Sequence, residues 1–282
     1  MGRAKPGIFV NYHRRADMDK RKWMEMRERI RVWIRFNGVA PAWPRRIGSG
    51  QRRCMYWQPF QGVQPIGFAP FAGIRHPRNP AHTSVSIIIE VAGRAAEHIL
   101  VDCGAGVVES LVLARLPRIE DCTHLLVTHP HPDHLEPNAL IETLRRAPGN
   151  DKAAFRLPVY GSAAVETMLN EKHPYERKYI KFNTVSHRQT ITDVSHFRVT
   201  PLSVAHGRCK GAHAYVIEVQ DRRVVVAFDL DTPEAVTASG RTNLQVFEDA
   251  RERGELDDVD LLCLDANTFR ARGTGHNSII DS

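Results

Sequence analysis

From position 83 onward, apolar residues fall into short runs, several of which end in a His or an Asp. Val85, Ile87, Ile89 and Val91 alternate with smaller or polar neighbours and predict a strand; Gly93-Arg94 predicts a turn, and His98 to Asp102 a second strand. That strand runs into a glycine-rich loop, Cys103-Gly104-Ala105-Gly106. A helix over 107–114, a strand over 125–128 and a helix over 138–146 follow. The second half repeats the style, with strands at 158–160, at 197–202 running on to His206, at 214–219 and at 223–228. Its helices are predicted over 163–170 and 243–253, and a last apolar run, 259–264, ends at Asp265.

Upstream, Trp23, Met26, Ile30, Trp33 and Ile34 recur at helical spacing behind Asp17, a residue suited to an N-cap, while Val32, Ile34 and Phe36 alternate as a strand does. A helix to about 29 and a strand to 36 satisfy both patterns. Residues 41–82 are rich in Pro, Gly and aromatics and predict a long irregular segment; 171–195 is also weakly patterned. Strands alternating with helices in two similar halves predict an α/β chain folded as a four-layer αβ/βα sandwich, with polar strand ends meeting along one edge.

A chain of 282 residues with 42% hydrophobic content can bury a full core, and one domain over 30–282 behind a basic extension, 1–29, is expected. No apolar run approaches the length of a membrane span, and the charged start lacks the apolar stretch of a signal peptide, so a cytoplasmic protein is expected. Cys54, Cys103, Cys122, Cys209 and Cys263 are scattered without a CxxC pair, which argues against disulfides and a thiolate zinc site. The net charge of +7 is uneven: residues 1–53 carry 15 Lys/Arg and 4 Asp/Glu, leaving 24 against 28 for the rest. A solvated arm is therefore the expectation for the N-terminal segment, with RNA or another phosphate-rich partner as the alternative.

The candidate chemistry lies in His129-Pro130-His131-Pro132-Asp133-His134, directly after Leu125-Leu126-Val127. Three imidazoles and a carboxylate within six positions at a strand end suit a zinc, iron or manganese ion. His206 ends a later strand and is a further candidate ligand, with His213 as its alternative. His98, His124, His173, His187 and His196 read as ordinary surface residues.

Thr128-His-Pro-His-Pro-Asp-His134 matches the HxHxDH motif of the metallo-β-lactamase-fold hydrolases, and the chain resembles that family. Val101-Asp102-Cys103-Gly104, Val204-Ala205-His206-Gly207, Phe228-Asp229-Leu230-Asp231-Thr232 and Gly275-His276-Asn277-Ser278 reinforce the match in the family's order. The resemblance implies two mixed sheets. The run from Val199 through Tyr215 to Asp231-Thr232 is similar to the phosphodiesterase branch, which includes tRNA 3′-processing endonucleases and a cyclic phosphodiesterase of phosphonate breakdown.

On that resemblance His129, His131 and His206 hold one metal, Asp133 and His134 face a second, and Asp231 bridges them. Asp229 competes for the bridge; Asp231 is preferred because the family places its aspartate before threonine. Asp133 is expected to orient a metal-bound hydroxide or accept its proton, His276 to protonate the leaving oxygen or contact phosphate, and Asp265 to fix the tautomer of His276.

The family ordinarily runs past the Gly-His segment to a final metal-binding histidine, whereas this sequence stops at Ser282. The resemblance thus implies a C-terminally truncated fold with one tight and one weaker zinc, manganese or iron being alternatives. It also implies a sheet edge open to homodimer formation. The expected function is hydrolysis of a small or cyclic phosphodiester. A lactone or thioester hydrolase and an RNA-binding protein with a weak site are the alternatives, and the substrate is expected to bear phosphate.

Overall fold

The computed structural model describes residues 30–38, 83–91, 94–114, 118–148, 150, 153–191, 194 and 196–264. The helix expected before residue 30, the stretch 41–82, Asp265 and His276 lie outside them. Six strands form the first sheet in chain order: β1 (Ile30–Gly38), β2 (Ser84–Val91), β3 (Arg94–Val101), β4 (His124–Leu126), β5 (Leu157–Gly161) and β6 (Ile180–Thr184). The pairs β1–β2 and β2–β3 are antiparallel, and the rest are parallel. The second sheet is built from β7 (Arg198–His206), β8 (Cys209–Val219), β9 (Arg222–Ala227) and β10 (Leu261–Leu264), in the order β10-β9-β8-β7. Only β10–β9 is parallel there, so both sheets are mixed.

Helices α1 (Val107–Ala114), α2 (Asn138–Arg146) and α3 (Ala163–Lys172) pack their apolar sides on the first sheet, and α4 (Asn243–Glu252) packs on the second. Strand periodicity distributes the burial. Ile99 and Val101 of β3 point between the sheets, towards Tyr215, Ile217 and Val224, while Leu100 between them points at the helices. The parts of these strands covered on both faces, Ile99-Leu100-Val101 of β3 and Leu125-Leu126 of β4, are apolar at successive positions, which is why they read as short continuous runs. Wholly buried side chains such as Leu126 and Ile99 each stabilise the sandwich by about 1.5–3 kcal/mol. The result is the αβ/βα sandwich that the alternation of elements predicts.

Two helix starts are fixed by side chains. Ser162 accepts a hydrogen bond from Val165 N–H at the head of α3, and Thr242 with Gln245 forms a capping box at the head of α4. β6, in the weakly patterned stretch, has no sequence counterpart: only Ile180 of its five residues is buried, so no alternation marks it. His98 differs from its reading as a surface residue. It is wholly buried, with Nε2 2.8 Å from Ser86 Oγ in a polar file with Asn37, and burial pushes it down to about 4. No helix among the described residues is long and apolar enough to cross a membrane.

Candidate metal centre

The loop after β4 leaves the sheet at the carboxyl ends of the four parallel strands β3 to β6 and is stitched to the loop after β3. Cys103 N–H donates to His134 O at 2.9 Å, and Glu136 N–H donates to Cys103 O at 2.7 Å. Tyr215 Oη, from the second sheet, donates to Val127 O at 2.7 Å. His134 and Leu135 N–H groups both close on His131 O, so the motif folds into a tight turn that points several imidazoles one way.

Asp102, at the end of β3, organises this turn. Its wholly buried carboxylate accepts from Thr128 N–H at 2.7 Å and Thr128 Oγ1–H at 2.6 Å, and its Oδ2 lies 2.7 Å from His134 Nδ1. Because the Thr128 hydroxyl proton goes to Asp102, Thr128 Oγ1 accepts from His129 Nδ1–H at 3.0 Å. Both rings are thereby set as Nδ1–H tautomers, with Nε2 turned inward.

What converges on the inside is a set of lone pairs. His129 Nε2 lies 3.0 Å from His131 Nδ1, and His206 Nε2, at the end of β7, lies 3.2 Å from the same atom. Asp229 Oδ2, just past β9, is 3.0 Å from His134 Nε2, 3.5 Å from His129 Nε2 and 3.7 Å from His206 Nε2. Two donor groups form among the described residues, His129/His131/His206 and His129/His134/Asp229, each with its ligand atoms within 4.8 Å of one another. In any one tautomer His131 Nδ1 can hydrogen-bond well to only one of the two facing rings, and a divalent cation would take up the lone pairs left over. The donor set therefore fits zinc, which takes imidazole nitrogen and carboxylate oxygen.

The electrostatics agree for His129 and His131, whereas His134 carries a proton that an ion at its Nε2 would displace. Burial, aided by the charge of His134, holds His129 well below its ordinary value, and burial with His206 lowers His131. Both are neutral, as ligands must be. For His134, burial is outweighed by Asp102, Asp133 and Asp229, which hold the ring well above its usual range. Burial opposes the charge on Asp133, yet the hydrogen bond and charge of His134 bring its carboxyl below the ordinary value.

His129, His131, His134 and His206 thus meet as the motif implies. Asp133 sits beside them, with Oδ2 3.3 Å from His134 Nε2, but belongs to neither donor group. Of the two aspartates weighed for the bridge, Asp229 reaches the cluster, and Asp231 belongs to neither donor group. Asp231 Oδ2 instead accepts from Gly207 N–H at 2.7 Å, and its Oδ1 is buried with no hydrogen-bond partner among the described residues. The cause is local. β9 ends at Ala227, and Asp229 takes a left-handed φ of 53°, which swings its carboxylate across the sheet edge towards the histidines. His213 also stands apart, with Nε2 3.3 Å from Ser203 Oγ and no place in either donor group. The role of Asp102 was missed, although Val101-Asp102-Cys103-Gly104 marked the strand end that carries it. Asp265 and His276 lie outside the described residues.

The model of the beta-lactamase superfamily domain matches residues 97–281. No curated protein matches the chain. Among solved structures, a diphosphatase from the PhnP family is 18% identical with a TM-score of 0.53, over 72% of this chain and 66% of that one. Human tRNase Z, short form, is 15% identical with a TM-score of 0.51, over 88% and 85%. Yeast PDE1 is 14% identical with a TM-score of 0.55, over 71% and 76%. Identities this low establish a shared fold.

Proposed function

The chain belongs to the beta-lactamase superfamily, and from that premise we propose that it is a metal-dependent phosphodiesterase acting on a small or cyclic phosphodiester. One observation carries the reading: two donor groups share His129, and the Asp229 carboxylate lies within reach of histidines from both. Adjacent metal positions suit in-line displacement at phosphorus, where attacking and leaving oxygens both need stabilising. The neighbours named for a diphosphatase, a tRNase and a PDE support the same branch.

His129, His131 and His206 would hold one ion, and His134 with Asp229 a second, more weakly held one. Zinc is the favoured metal, manganese or iron being compatible with the same donors. Divalent ions there supply Lewis-acid stabilisation of developing negative charge and lower the pKa of water. Asp102 keeps His134 Nε2 aimed inward through the contact at Nδ1. Asp133, which lies beside His134, would orient the attacking water and take its proton. His276 is assigned the protonation of the leaving oxygen, with Asp265 as its orienting carboxylate.

The test is turnover of a chromogenic bis-aryl phosphate by chelator-treated protein with zinc or manganese restored, alongside lactone and thioester panels. Metal-dependent phosphodiester hydrolysis that disappears in His131→Ala is the expected result. Acyl turnover without phosphodiester turnover overturns the assignment in favour of an acyl hydrolase.

A further inference from the structure

We propose that Asn243 is a positioning residue for the metal centre, locking together the two strand ends that carry His206 and Asp229. The proposal rests on the metal-centre reading above. β7 and β9 are not neighbours, because β8 lies between them in the sheet. No ladder of strand hydrogen bonds therefore fixes the end of β7 against the end of β9, yet each carries a residue that must face the same ion.

Asn243 fills that gap from the first turn of α4. Its Oδ1 accepts from Ala205 N–H at 2.7 Å, and its Nδ2 donates to Ala205 O at 3.3 Å, closing on both backbone groups of the residue before His206. The same Nδ2 reaches Asp231 O at 3.2 Å and Thr232 O at 3.3 Å, just past Asp229. Asp231 adds a direct join, its N–H donating to Ala205 O at 3.0 Å, while its carboxylate takes Gly207 N–H on the far side of His206. His206 is thus flanked by anchored backbone at Ala205 and Gly207, and both anchors run to the chain after Asp229.

The side chain has no competing employment. Thr242 and Gln245 cap α4, so the Asn243 amide is not needed to start the helix. Asn243 is only 3% exposed. A buried amide is tolerated when its polar atoms are paired, and here every side-chain partner lies on the ligand-bearing segments.

The test compares full-length wild type, Asn243→Asp, Asn243→Ala and Thr242→Ala for affinity towards zinc and cobalt, by competition with a chelator. The visible absorption of bound cobalt reports ligand geometry. Asn243→Asp keeps size and the acceptor for Ala205 N–H but loses the donors, so it stands in where Asn243→Ala fails to fold. A loss of about 10- to 100-fold in metal affinity and an altered cobalt spectrum are expected for both Asn243 variants. Thr242→Ala, which weakens the helix cap, is expected to melt earlier with unchanged affinity and spectrum. Folded Asn243→Asp with wild-type affinity and spectrum overturns the proposal, as does an equal loss in Thr242→Ala. Wild type that takes up neither metal brings down the metal-centre reading as well.

Discussion

Asp102 Oδ2 lies 2.7 Å from His134 Nδ1, and neither residue has access to solvent beyond 1%. That contact determines which nitrogen of His134 faces the cluster. Asp102→Asn leaves the shape intact but offers His134 an amide in place of a carboxylate. A fall of about 10- to 100-fold in zinc affinity or phosphodiesterase activity is expected, read from chelator competition and kcat/KM. Wild-type values in both would remove Asp102 from the centre.

The two neighbouring aspartates, Asp229 and Asp231, are separable by the same isosteric change. In Asp229→Asn the cluster loses its carboxylate, and zinc retained after dialysis should fall, together with activity. In Asp231→Asn an amide oxygen still accepts from Gly207 N–H, and retention should stay close to wild type. The opposite ranking by metal analysis would restore Asp231 to the bridge.

Stripping the metal should cost stability. Uncompensated imidazoles in contact at 3.0 and 3.2 Å remain when the ion leaves, and an ion that binds only the folded chain stabilises it by mass action. Chelator-treated protein should melt several degrees lower and regain its Tm with added zinc. An unchanged Tm would show that these histidines hold no ion tightly.

Acid should destabilise the fold through buried neutral histidines. Burial holds His98 and His213 at about 4, against 6.5 in the unfolded chain. Between these values the unfolded chain binds more protons, so stability falls as pH drops from about 6.5 and the fall levels off below about 4. The ceiling is on the order of 3 kcal/mol for each ring. Urea unfolding at pH 7, 5.5 and 4.5 should show the decline, and His98→Gln should make it shallower. Identical slopes for the two proteins would exclude His98 as a contributor.

Strand order and metal histidines differ in how far a sequence reveals them. Leu125-Leu126-Val127 followed by His-x-His-x-Asp-His is a local signal, because one turn supplies most of the ligands. Asp229 was harder. Its left-handed backbone aims the carboxylate, and neither residue type nor period-two alternation records that φ. Asn243 carries no local mark either: the sequence around it marks only the start of a helix, and its partners lie 11, 12 and 38 residues away. β6 escaped notice because it is an edge strand with a single buried side chain.

The amide of His213 offers a view of how the halves of the sandwich separate. It belongs to the second sheet and donates to Thr128 O, on the first, at 2.9 Å. Within a strand an amide is shielded until its own sheet frays, but this proton is released whenever the two sheets part at the histidine-bearing edge, even with every ladder intact. Its exchange with deuterated solvent therefore times the opening of that edge. With ligands on both sheets, a bound ion would slow that exchange far more than it slows the amides of β2.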